Sequence, residues 1–212
     1  MFVLNADAAK KIMRKWHSKL CYYVMEVHKD SFSHGQITSK IWLCEELENL
    51  QWSSDTTHIY GGWYAMTAFL LFSRGKFKVN YIESFDLDPE CESVARMIND
   101  NWVIQQKFNA YTRDCSQLVE GNRDLIINTA TEHFPSLDWF NNIPAGTRLV
   151  LQGNNMLHDD HFVHSESLES FKKTYPLSSI EYEGTRKFDY AVPGNDDYVD
   201  WAFMRYMIIG IK

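Results

Sequence analysis

The chain has no C-x-x-C pair. Its four cysteines, Cys21, Cys44, Cys91 and Cys115, are scattered through 212 residues. That spacing indicates neither a zinc ribbon nor a disulfide framework, and reduced thiols in a cytoplasm are the default expectation. The sequence also lacks a basic block. Lys and Arg number 21 against 28 Asp and Glu, for a formal net charge of -7. An electrostatic grip on nucleic-acid phosphates is therefore not favoured, and attraction to a membrane surface is unsupported. No apolar run reaches membrane-spanning length. The start, Met1-Phe2-Val3-Leu4-Asn5-Ala6-Asp7, turns polar too early for a signal peptide. Repeats, low-complexity tracts and linkers are absent as well, so one domain over 1–212 is expected.

What is present is material for a core. Hydrophobic residues make up 45% and aromatics 15%, which argues against disorder and requires many rings to be buried or used in a site. Apolar spacing of three or four predicts a helix over 10–27 and a second starting near Thr38 or Ser39. Together they form an N-terminal helical cap over 1–55. A strand over 57–60 runs into Gly61-Gly62-Trp63-Tyr64-Ala65, and a helix over 66–73 follows. This strand, tight turn and helix would bring backbone N–H groups and a helix start close to a ligand. A second strand, 79–85, ends at Asp86-Leu87-Asp88-Pro89, where nucleotide-binding α/β folds hold a ribose. Further strands are expected at 108–112, 124–128 and 148–152, the last two apolar without alternation, as central parallel strands are. The tail holds two strand-like runs, 179–190 and 205–211, with a short turn over 198–203 and no helix-length crossover. An antiparallel pair is the natural reading.

This order is the layout of an α/β, Rossmann-like sheet of the class I methyltransferase type, mostly parallel and seven-stranded, with an antiparallel C-terminal hairpin; order and spacing alone suit other doubly wound sheets equally. The motifs carry the comparison further. Ile59-Tyr60-Gly61-Gly62-Trp63-Tyr64 resembles the GGWYG turn of a group of small S-adenosylmethionine-dependent methyltransferase-like proteins of bacteria and phages. Phe85-Asp86-Leu87-Asp88-Pro89 is similar to the acidic motif that follows in that group. Asn128-Thr129-Ala130-Thr131-Glu132-His133 resembles its N-T-S-x-E-H segment, and Leu151-Gln152-Gly153-Asn154-Asn155 its L-Q-S-N-N segment. Asp160-His161-Phe162-Val163 looks like a D-H-V stretch, and Ser39-Lys40-Ile41-Trp42-Leu43 like an S-K-x-W-L lead-in. One departure stands out. Trp63 and Ala65 occupy places where the widespread methyltransferase turn has glycines. An alanine there is costly if its φ is positive.

The resemblance implies S-adenosylmethionine as cofactor. Gly61, Gly62 and Trp63 would form its turn, and Asp86, with Asp88, would accept the ribose hydroxyls. Asp88 before Pro89 equally suits a helix N-cap. Asp114 would accept the adenine amino group, with the Cys115 N–H beside the ring. Lys40 would face the methionine carboxylate and Asn128 the methionine ammonium. Asn128, Glu132, His133 and His161 are the candidate catalytic groups, since a histidine can move a proton near neutral pH. His158, His161 and His164 with Asp159 and Asp160 also suggest metal ligands, but they read as a polar loop, and no metal is expected. The expected activity is methyl transfer to a small molecule or protein. The alternatives are another transfer from, or cleavage of, S-adenosylmethionine, or a non-catalytic binding or structural module.

Overall fold

The computed structural model describes residues 29–117, 121–190 and 201–212. The expected helix over 10–27 and residues 198–200 of the expected C-terminal turn lie outside them. A 3-10 turn, Lys29–Phe32, leads into α1 (His34–Asn49). Then come β1 (Ser53–Tyr60), α2 (Met66–Arg74), β2 (Lys78–Asp86), α3 (Pro89–Ile98), α4 (Asp100–Ile104), β3 (Phe108–Thr112) and β4 (Leu125–Asn128). A second 3-10 turn, Thr131–His133, is followed by α5 (Asp138–Asn141), β5 (Arg148–Asn154), α6 (Leu168–Thr174), β6 (Ser179–Tyr190) and β7 (Trp201–Ile211).

The strands form one seven-stranded sheet in the order β3-β2-β1-β4-β5-β7-β6. Pairing from β3 through β5 is parallel. The last strand pairs antiparallel with both β5 and β6. The sheet class expected from the sequence is thus the one observed.

Successive strand residues point to opposite faces, and both faces are covered. Leu125, Ile127, Val150, Met207 and Ile209 pack with Ile59 and Ile82 under the layer holding α1, α2 and α3. Ile126, Leu149, Leu151, Tyr206 and Ile208 pack with Trp139, Phe140, Phe171 and Tyr175 of the α5–α6 layer. Two-sided burial explains why β4 and β5 read as unbroken apolar runs. Each fully buried Leu or Ile here contributes about 1.5–3 kcal/mol.

Several boundaries differ from the sequence expectation. Helix α1 begins four residues earlier than Thr38, because Ser33 caps it and accepts the Gln36 N–H at 3.3 Å. Strand β1 extends back to Ser53 through polar residues that Asp124 holds. This carboxylate accepts from Ser54 Oγ at 2.6 Å and from the Thr56 N–H at 3.1 Å. It also pairs with Arg148, which ties β1 to the start of β5. Residues 201–203, expected in a turn, continue β7 and pair with β6.

Candidate active site

Strand order reverses between β1 and β4. The chain first steps outward from β1 to β2 and β3, then returns to β4 on the other side. In open α/β sheets ligands bind at such a switch point, outside the C-terminal ends of the strands. Here Tyr60 and Asn128 are register partners at that end. The Gly61 turn follows one, and the Ala130 loop follows the other.

The turn is tightly determined. Gly61 adopts φ +60°, and a Cβ on it would lie 3.3 Å from Ala130 Cβ and 3.4 Å from the Phe134 ring. A Cβ on Gly62 would sit 2.0 Å from Ser84 Oγ and 3.3 Å from Ser84 Cβ, so any side chain would have to displace the Ser84 hydroxyl. The Gly62 N–H donates to Phe85 O at 3.0 Å. Trp63 and Ala65 also have positive φ, 50° and 53°. The alanine therefore carries the backbone strain that the sequence flagged. Such a residue costs about 1–3 kcal/mol relative to a relaxed backbone.

Asp86 joins this turn to the end of β2. One carboxylate oxygen accepts the Trp63 N–H at 2.7 Å, and the other accepts the Asp88 N–H at 3.1 Å. Charge-assisted bonds of this kind are worth about 1.5–3 kcal/mol each. Each oxygen keeps a further lone pair for a hydroxyl donor. The Arg113 N–H donates to Asp86 O at 2.7 Å, which brings the end of β3 alongside. Cys115 is buried against Gly61, and burial pushes its thiol up to about 12. Its thiol is therefore inert. Asp114 is exposed, and one of its oxygens accepts the Ser116 N–H at 2.7 Å. A cleft of about 340 Å³ opens beside these strand ends, lined by Glu83, Phe85, Tyr111, Thr112 and Arg113. Trp63 does not line it. That ring stacks on Tyr64 and packs against the α1–α3 core.

At the end of β4, Asn128 is fully buried. Its Oδ1 accepts the Ala130 N–H at 2.9 Å, while Nδ2 has no partner. The amide therefore offers an unpaired donor, while Oδ1 keeps a second lone pair. Beyond it lies a second group of side chains. Glu132 is 4% exposed, and Asn154 Nδ2 donates to its Oε1, leaving Oε2 without a partner. The Met156 N–H donates to Asn154 Oδ1 at 2.8 Å, which fixes the orientation of that amide. His133 and His161 meet edge to face, with ring centroids 4.8 Å apart. The Phe162 N–H donates to Glu132 O at 2.8 Å, docking the loop after β5 onto the loop after β4.

The structure thus gathers Gly61, Gly62, Trp63, Asp86 and Cys115 on one side of the switch point, with Asn128 adjacent through the Ala130 loop. Glu132, His133 and His161 converge on the other side. The other candidates make contacts of their own. Asp88 is exposed and caps α3, accepting the Glu90 N–H at 2.9 Å. Lys40 is buried within α1 and donates to Gln36 Oε1 at 2.7 Å, one turn back. The segment holding His158 and His164 is not helical, so an i, i+3 ligand face does not form. Both rings are exposed. His158 is paired with Asp160, and His164 contacts Asn155 O at 3.2 Å. Sequence reasoning gave Asn154 no role. Its only trace was its place in the Gln152-Gly153-Asn154-Asn155 motif at the end of β5.

No family model matches the chain, and no curated protein matches it either. Solved structures do. YcgJ from Bacillus subtilis superposes with a TM-score of 0.61 at 14% identity, over 82% of this chain and 98% of that one. The magnesium protoporphyrin IX methyltransferase ChlM of Synechocystis PCC 6803, with bound S-adenosylmethionine, gives 0.59 at 11% identity, over 95% and 96%. The N-methyltransferase NodS of Bradyrhizobium japonicum WM9, in complex with S-adenosylhomocysteine, gives 0.54 at 9% identity, over 89% and 91%. The fold of this chain is that of the Rossmann-like methyltransferases.

Proposed function

We propose that the protein is an S-adenosylmethionine-dependent methyltransferase of the GGWYG group. The observation that carries this reading is the closed link between turn and strand end, in which the Trp63 N–H donates to Asp86 at 2.7 Å. It holds an acidic group and a side-chain-free turn together at the switch point, where ligands enter such sheets. The residues present suit the cofactor. Gly61 and Gly62 leave the backbone bare, Asp86 can accept ribose hydroxyls, and exposed Asp114 can accept an amino group. The unpartnered Asn128 Nδ2 suits an acceptor such as the methionine carboxylate, and the carbonyl oxygens of the same residue suit the ammonium expected from sequence.

When bound, S-adenosylmethionine supplies an electrophilic methyl group. The chain's own part is alignment and exclusion of water. Glu132 is buried where the loop carrying His161 docks, and His133 stands at the exposed edge of that contact, placed to take a proton from an acceptor. The net charge of -7 favours a small molecule or protein as acceptor over nucleic acid. No helix among the described residues is long and apolar enough to cross a membrane. A single domain with 1–55 as N-terminal cap, acting in a bacterial or phage-infected cytoplasm, belongs to the same proposal. Product analysis after incubation with S-adenosylmethionine and a candidate acceptor pool tests it. S-adenosylhomocysteine is the expected product. Methylthioadenosine would instead assign aminocarboxypropyl transfer or cofactor cleavage, and turnover of neither kind would point to a binding module.

A further inference from the structure

We infer that Glu132, His133 and His161 form a binding site for a divalent first-row transition-metal ion. One ligand atom from each lies within 4.8 Å of the other two. The argument is one of unmatched acceptors. His133 Nδ1 lies 3.2 Å from Asp160 O, and His161 Nδ1 lies 2.9 Å from Met156 O. A carbonyl only accepts, so each Nδ1 carries the hydrogen, and in the neutral ring Nε2 then presents a lone pair. Glu132 adds a carboxylate oxygen that is buried and has no partner. The Glu132 carboxylate and the His161 ring, whose side chain is 5% exposed, are largely removed from water, and lone pairs crowded in such a place are stabilised by a proton or a metal cation held between them.

The surroundings have the form that metal sites require. Ligating histidines usually donate their second nitrogen to a carbonyl or carboxylate, and ligating carboxylates are themselves hydrogen-bonded. Here Met156 O and Asp160 O hold the two rings, and Asn154 holds Glu132 Oε1. Asp160 also places a carboxylate oxygen 3.5 Å from His133 Nδ1. Two histidines and one carboxylate suit zinc or ferrous iron and leave coordination positions open. The exposed edge of His133, 43% accessible, would put an open position toward solvent, where water or a ligand heteroatom can bind. This proposal departs from the sequence expectation of no metal. It does not depend on the cofactor site at the turn after β1 and the end of β2, although it uses the groups that the proposed function sets near the acceptor.

The test is zinc titration of the chelator-treated full chain against a chromophoric competitor, followed by manganese and ferrous iron in separate runs. One equivalent is expected to bind. Glu132→Gln should weaken binding at least about 100-fold, and Asn154→Ala, which removes the support of the carboxylate and of the Met156 N–H, about tenfold. His158→Ala and His164→Ala should leave it unchanged. Circular dichroism on each sample confirms folding. A cobalt-substituted sample gives a second readout, with visible bands that His161→Gln should alter. Equal zinc affinity in wild type and a folded Glu132→Gln would overturn the assignment, as would loss of binding on changing His158 or His164.

Discussion

Ala65 shows most clearly how one residue records a conflict between backbone and side chain. It begins α2 in a left-handed conformation, φ 53°, with its methyl fully buried. Glycine adopts that conformation without the Cβ penalty. Ala65→Gly should therefore raise the unfolding free energy by about 1 kcal/mol in a urea titration. A loss of stability would mean that packing of the methyl outweighs the strain. The strain was foreseeable from the place of Ala65 in the turn, although the sign of φ was not. Asp86 was similarly legible as the acidic end of a strand. Its bonds to the Trp63 and Asp88 N–H groups were not, because they depend on two segments meeting across the sheet. The bond from Asn154 to Glu132 lay further from view. It joins the end of β5 to the loop after β4, and no local periodicity encodes it.

At the scale of elements, strands buried on both faces were readable from continuous apolar runs. Strand beginnings made of polar residues were not. Residues Ser53 to Thr56 of β1 look like loop, yet Asp124 recruits Ser54, the Asp55 and Thr56 N–H groups and Arg148 to keep them in the sheet. Partial burial works to raise the Asp124 carboxyl, but these donors more than offset it and hold it below its ordinary value. Asp124→Ala should cost about 2 kcal/mol, since several donors lose their acceptor at once. Hydrogen exchange should then quicken at the start of β1 more than at its Tyr60 end. Uniform quickening would place the loss in the whole sheet instead. Helix α1 hid its start for a related reason: His34, Gly35 and Gln36 read as polar loop, and only the Ser33 cap reveals the first turn.

For the whole molecule, one buried histidine makes stability depend on pH between neutrality and about pH 4, above the range where carboxylates such as Asp124 take up protons. His58 is fully buried near Phe85 and Tyr60. Burial, with the positive charge of Arg123, lowers its pKa to about 4. Glu83 lies 3.0 Å from Nε2, but neither ring nitrogen makes a hydrogen bond, so the carboxylate does not reverse the effect. In the unfolded chain His58 takes up a proton below about pH 6.5, whereas the folded protein resists until about pH 4. Stability should fall as pH drops through that window, by about 2 kcal/mol between pH 7 and pH 5. His58→Gln should flatten the slope in denaturation curves, and an unchanged slope would assign it to other groups.

The larger claim is that the turn after β1 and the acid after β2 make a cofactor site. Calorimetric titration of the full chain with S-adenosylhomocysteine tests it most directly. The account predicts one-to-one binding, weakened at least about tenfold by Asp86→Asn, which keeps the size of the side chain and removes its charge. No binding to the wild type, or equal binding to a folded Asp86→Asn variant, would contradict it.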